Sequence, residues 1–165
     1  MLFHNPSPGL ELETRARGKI PNELRLERPK EALDASVAIF RASRPNARLR
    51  SLTATYNCVG MVVACRRCWV DPEHLVRILR DDGYPELAGA EKAEIGDLVI
   101  YRDGANEVSH VGIVVRKKVL VPGQQEEPLE VVSKWGADGE YIHDMSYVPK
   151  LLGKPVEFWT DRKDN

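Results

Sequence analysis

After Gly83 the chain changes character, and that change sets the fold class. Four short β-branched or aromatic runs, each bounded by turn residues, read as strands: "GDLVIYR" (96–102), "HVGIVVR" (110–116), "LEVVSKW" (129–135) and "PVEFWT" (155–160). "DGANE" and "PGQQEEP" are the loops between them. Before Gly83 the spacing is helical. "RPKEALDASVAIFRAS" places Pro29 in a first turn and repeats Leu33, Val37 and Phe40 on one side. A second helix is expected from about Cys58 to Cys68. A third starts from Asp71 as N-cap with Pro72 behind it, carries Leu75, Ile78 and Leu79 inward, and stops at Gly83. Helices first, then strands on short loops, predict an α+β fold with helices packed on an antiparallel sheet.

A chain of 165 residues suits one domain with a real core. Residues 1–28, rich in Pro, Gly and charge, are expected to form an extended arm, and 29–165 the domain itself. That arm is a candidate lid over a cleft and a candidate contact for a protein partner. Hydrophobic residues at 42% and charged ones at 30% describe a globular chain, not a disordered one. The formal charge of -1 gives no general attraction to nucleic acid. The basic segment "RASRPNARLR" (41–50) reads as a solvated loop. No apolar run nears the ~20 residues that span a bilayer, and the first residues lack a basic-then-apolar leader pattern. These features imply a reducing cytoplasm, or export without a classical signal peptide, and no membrane partner.

All three cysteines lie in "TATYNCVGMVVACRRCW" (53–69). An odd count argues against a disulfide framework. "CRRC" has the spacing of half a zinc site, but no second half follows beyond the distant His74 and His110. A thioredoxin-like pair belongs at the start of a helix, whereas Cys65 and Cys68 come at the far end. Both are expected to pack as small buried hydrophobes. Cys58 differs, because it stands where a polar loop turns into an apolar helix. Backbone N–H groups at a helix start favour a thiolate, the nucleophilic form. The competing reading is a core cysteine beneath a helix cap.

His110 heads a strand, with Gly112 on its face and Val111 and Ile113 on the other. A strand histidine downstream of a helix-start cysteine is the pattern of a Cys–His pair. Taken together, "YNCVGMVV", "IGDLVIYR" and "SHVGIVV" resemble the NlpC/P60 family of papain-like cysteine peptidases and amidases, over roughly residues 53–135. The resemblance implies a papain-like fold with a partly barrel-like sheet, Cys58 as nucleophile and His110 as base, and no metal or organic cofactor. It also implies a peptide or other amide-containing substrate. The order Cys-then-His is unlike that of the circularly permuted LRAT-like acyltransferases. Asn57 and Val59 stand where the family usually has Asp and Ser. Tyr56 and Asn57 are the candidates for the oxyanion and cleft wall.

The third member of such a site has two candidates. If the 110–116 and 129–135 strands pair antiparallel, Ser133 takes the family's usual position. His143 is the chemically more familiar partner. Glu130, Lys134 and Trp135 are expected near the cleft without an assigned role. Hydrolysis of an amide or isopeptide bond is the leading expectation. A catalytically silent binding or immunity module, and an acyltransferase using the same pair, are the alternatives.

Overall fold

The computed structural model describes residues 9–119 and 127–162. Three helices, α1 (Lys30–Ser43), α2 (Cys58–Val63) and α3 (Leu75–Asp81), accompany seven strands. These are β1 (Arg48–Leu52), β2 (Glu86–Leu87), β3 (Leu98–Arg102), β4 (Val108–Lys117), β5 (Leu129–Lys134), β6 (Gly139–Asp144) and β7 (Lys154–Trp159). All pairings are antiparallel, in the order β1-β6-β5-β4-β3-β7-β2. Strands β3 to β6 form a meander. β7 returns beside β3, and β1, from the helical half of the chain, closes the other side. The sheet is open: β1 and β2 are its edges and do not meet, so it does not close into a barrel.

Strand alternation divides the interior in two. On one face Leu98, Ile100, Val111 and Trp159 pack against Cys58 and Val59 of α2 and Leu75, Ile78 and Leu79 of α3. On the other, Val99, Tyr101, Val131, Trp135 and Tyr141 pack beneath α1. Phe40 of α1 meets Trp135 and Tyr141 edge-on, at ring-centroid distances of 5.0 and 5.7 Å.

Several expected boundaries move. α2 ends at Val63 rather than near Cys68, because Cys65 and Arg66 both adopt left-handed backbone conformations (φ 49° and 65°). The chain doubles back there and lays the Cys68 carbonyl on Gly60, where a Cβ would stand only 1.8 Å from that oxygen. Cys68 is buried as expected, but this turn leaves Cys65 exposed. The basic segment is also not all loop. Its last residues enter β1 and pair with β6, and Arg48 and Arg50 bond Glu130 and Glu140. α3 begins as expected, with the Asp71 side chain accepting the Glu73 N–H after one 3-10 turn, and ends at Gly83 (φ 74°). "DGANE" joins β3 to β4. "PGQQEEP" lies mostly outside the described residues.

The described part of the arm (9–28) is extended and held by isolated bridges, Glu13 to Lys19 and Glu23 to Trp69. Arg15 bonds Asp82 through both its backbone N–H and its guanidinium, and Ile20 is buried in the core with α3. Among the described residues no helix is long and apolar enough to cross a membrane.

Candidate active site

Cys58 is the first residue of α2, and Asn57 is the residue that places it. The Asn57 side-chain oxygen accepts the Gly60 N–H (2.9 Å) and the Val70 N–H (3.2 Å), while its amide donates to the Val70 carbonyl (2.7 Å). One side chain therefore caps the helix and ties the returning 68–70 segment to it. These bonds use one of the two Asn57 amide hydrogens, and Asn57 lines the cleft described below. Tyr56 is likewise committed: its hydroxyl donates to Glu140 at 2.6 Å. Tyr56 is therefore not free to serve as the expected oxyanion donor, and it does not line the cleft.

Cys58 is buried, 5% exposed as a residue, and its sulfur sits against β4, where the Val111 N–H is directed at it. Burial raises its pKa to about 11; the N–H groups of Val111, Val59 and Cys58 itself, and the Lys134 charge, act the other way without offsetting it. At neutral pH the resting group is a thiol.

His110 lies inside β4, opposite Tyr101 of β3, with the two rings 5.1 Å apart. Alternation turns it to the Tyr101 side of the sheet, away from the face that carries Val111 and Cys58. It is fully buried, and neither ring nitrogen has a hydrogen-bond partner. No hydrogen bond joins it to Cys58, so the expected resting dyad is not assembled. Burial, with a small contribution from neighbouring His143, lowers the His110 pKa to about 3. The imidazole is therefore neutral. Even so, Cys58 and His110 line one cleft of about 410 Å³ at the end of the sheet, along with Ser109, Gly136 and Leu152. Pro21, Asn22, Glu23 and Arg25 of the arm form part of its wall. Trp69 and His74 form another part. Glu130, Lys134 and Trp135 do not line it.

The strands do pair as the sequence suggested, with Gly112 opposite Ser133 and Val131 opposite His143. Ser133 and His143 turn out to be partners rather than rivals, with the serine Oγ 2.7 Å from His143 Nε2. The Trp135 indole N–H donates to the same Oγ at 3.0 Å, and His143 Nδ1 is 2.8 Å from the Asp144 carbonyl. A self-consistent proton arrangement runs from Trp135 through Ser133 to His143 and on to that carbonyl. The network is complete without His110, so neither residue orients that ring at rest. His143 is buried, not the partly exposed strand-end residue its sequence position suggests, and burial brings its pKa to about 4.

Lys134 and Glu140 emerge as site neighbours. They are paired across β5 and β6 on the α2 face, and both are buried. Glu140 takes the Tyr56 hydroxyl, Arg66 at 2.5 Å and Arg50 at 3.0 Å. Burial opposes its charge, but the Arg66 and Tyr56 bonds hold its pKa below the usual carboxylate value. Charged residues inside otherwise apolar strand registers were the available sequence signal. Among the described residues no three of His, Cys, Asp and Glu are grouped to hold a metal ion. No family model, curated protein or solved structure matches this chain.

Proposed function

We propose that this chain is a cysteine hydrolase of the papain-like, NlpC/P60-like kind, cutting an amide or isopeptide bond with Cys58 as nucleophile and His110 as general base. The observation that carries the reading is the shared cleft: Cys58 and His110, the latter with no hydrogen-bond partner for either ring nitrogen, both border one cavity with room for an extended ligand. An imidazole buried with both nitrogens unsatisfied costs stability, on the order of 1–3 kcal/mol for each group. Such a cost is common where a function requires it.

The resting protonation states define the mechanism. With a thiol and a neutral imidazole, there is no ion pair waiting for substrate. The reaction requires the β4 backbone at residue 110 to rotate as ligand enters, bringing the ring from the Tyr101 face to the sulfur, and proton transfer to a ring nitrogen accompanies attack. The S–C bond forms as the carbonyl π electrons move to oxygen. Collapse of that intermediate breaks the C–N bond, and the imidazolium gives its proton to the departing amine. Water, deprotonated by His110, then cleaves the thioester. Backbone N–H groups around the sulfur supply the oxyanion donors, in place of the Tyr56 hydroxyl.

A substrate-independent test uses p-nitrophenyl acetate. The proposal expects a burst of p-nitrophenolate equal to the enzyme present, with the acetyl group mapped to Cys58. Cys58→Ser should abolish the burst, and His110→Ala should slow it by ~100-fold or more. Acetylation spread over Cys58, Cys65 and Cys68 alike, unaffected by His110→Ala, would reject it. Adding an amine and finding it acylated in preference to water would make the enzyme an acyltransferase. A second reading, a silent binding module on the same fold, is favoured by the absent Cys58–His110 hydrogen bond and the raised thiol pKa. The missing burst is its signature.

A further inference from the structure

β6 places a carboxylate on the face of the sheet that α2 covers. Tyr141 packs beneath α1, so Glu140, the residue before it in the strand, turns to the opposite face, and it is buried there. Its two oxygens are met from three segments of the chain. Oε1 accepts the Tyr56 hydroxyl (2.6 Å) and Arg66 Nε (2.5 Å). Oε2 accepts Arg50 Nη1 (3.0 Å) and Arg66 Nη2 (3.4 Å). Ser51 Oγ stands 3.4 Å from the same Tyr56 hydroxyl. Tyr56 lies in the chain entering α2, just ahead of Asn57 and Cys58, and Arg66 in the turn that leaves it after Val63. Arg66 holds a left-handed backbone (φ 65°), a conformation that disfavours residues other than glycine. A helix as short as α2 cannot fix its own position. Apolar side chains of similar volume commonly fill a buried site as well as an ion pair does. A carboxylate adds direction, because each of its lone pairs is met at a fixed place.

We infer that Glu140 is a positioning residue for the nucleophile: its carboxylate ties the chain entering α2 at Tyr56 to the chain leaving it at Arg66, and so fixes where Cys58 stands at the cleft. This rests on Cys58 being the nucleophile, as proposed above. The path is covalent or hydrogen-bonded throughout. From the carboxylate it runs through the Tyr56 ring to the backbone and on through Asn57 to Cys58. On the other side it runs through Arg66, whose N–H donates to the Gly60 carbonyl of α2 at 3.0 Å. Arg50 anchors the same carboxylate to edge strand β1, so Glu140 keeps a partner of opposite charge when either end is cut. Glu140 exchanges no proton with the substrate. A tie across α2 holds only while both of its ends do, so Tyr56 and Arg66 act as one device.

The test is the acetyl burst from p-nitrophenyl acetate, measured on folded protein. Tyr56→Phe deletes one oxygen and keeps the ring. Arg66→Gln cuts the other end and leaves Arg50 on Glu140. Each should lower the limiting rate of Cys58 acetylation by about tenfold and leave the half-saturating ester concentration unchanged. The double variant should be no slower than the slower single one, because a tie already cut cannot be cut again. Bonds that only hold the fold together would lower the urea midpoint and leave the limiting rate of the folded protein alone. A wild-type limiting rate in either folded single variant would therefore overturn the inference. So would a double variant slowed by the product of the two effects, about a hundredfold. Should Arg66→Gln not fold, the limiting rate of Tyr56→Phe decides, slowed for the tie and unchanged against it. The proposed hydrolase fails separately. A wild-type protein without a His110-dependent burst overturns it, and the tie with it, whereas an equal burst in wild type and variants overturns the tie alone.

Discussion

His110 and His143 are two imidazoles that this fold keeps neutral, and acid exposes the consequence. Both have pKa values depressed by burial, to about 3 and about 4, from an ordinary value near 6.5. Below pH 6.5 the unfolded chain takes up protons that the folded one refuses, so stability falls as pH falls. The slope is ~1.4 kcal/mol per pH unit for each histidine until its folded pKa is reached. Urea titrations at pH 6.5, 5.5 and 4.5 should show this loss. The His110→Leu variant should lose only about half as much per unit, since His143 remains. Equal slopes in the two proteins would mean that the His110 ring is solvated.

α2 is a six-residue helix whose position is set by its ends, so substitutions there should cost more than its length suggests. Gly60→Ala would drive a methyl group into the Cys68 carbonyl and should destabilise the protein by ~3 kcal/mol or more. Asn57→Ala removes the cap and both Val70 bonds, with an expected cost of ~2–3 kcal/mol. Chemical denaturation checks both, and a cost near zero for either would contradict the packing described. These ends also mark where the sequence was legible. The apolar run after Cys58 announced a helix and its start. Its stop was hidden, because Cys65 and Arg66 take left-handed conformations without the glycine that usually signals one. Strands β3, β4, β5 and β7 were readable from alternation and turn residues. β1 was not, because "RLRSL" has charged residues at positions that the Glu130 and Glu140 carboxylates satisfy from across the sheet. Of the residues named from the sequence, Asn57, Cys58 and His110 border one cleft, but the face on which each one stands depends on tertiary packing. His110 and Cys58 lie on opposite sides of β4, a relation that no spacing within the sequence encodes.

Across the whole molecule, the described part of the arm (9–28) belongs to the body of the fold. Ile20 is in the core with α3, and Glu23 exchanges backbone hydrogen bonds of 2.9 Å with Trp69, in both directions, at the cleft wall. A detachable lid would be expected to raise turnover when removed. An arm that supplies core and wall should instead take stability with it. Deleting residues 1–28 is expected to lower the melting temperature by about 10 °C, consistent with ~3 kcal/mol or more from Ile20 and its neighbours, and to lower activity as well. An unchanged melting temperature with faster turnover would restore the lid. The two-faced sheet further explains why Cys58 and His110 stand apart: α2 and α1 cover opposite faces, and residues of both layers border the cleft at the sheet end.

The most direct measurement is a crystal structure of the protein alkylated at Cys58 by a chloroacetyl peptide, with the adduct occupying the cleft. The account requires a His110 ring nitrogen within about 4 Å of the sulfur or the adduct carbonyl, the ring having left its place beside Tyr101. An occupied cleft with His110 still buried against Tyr101, and no ring nitrogen reaching the adduct, would contradict it.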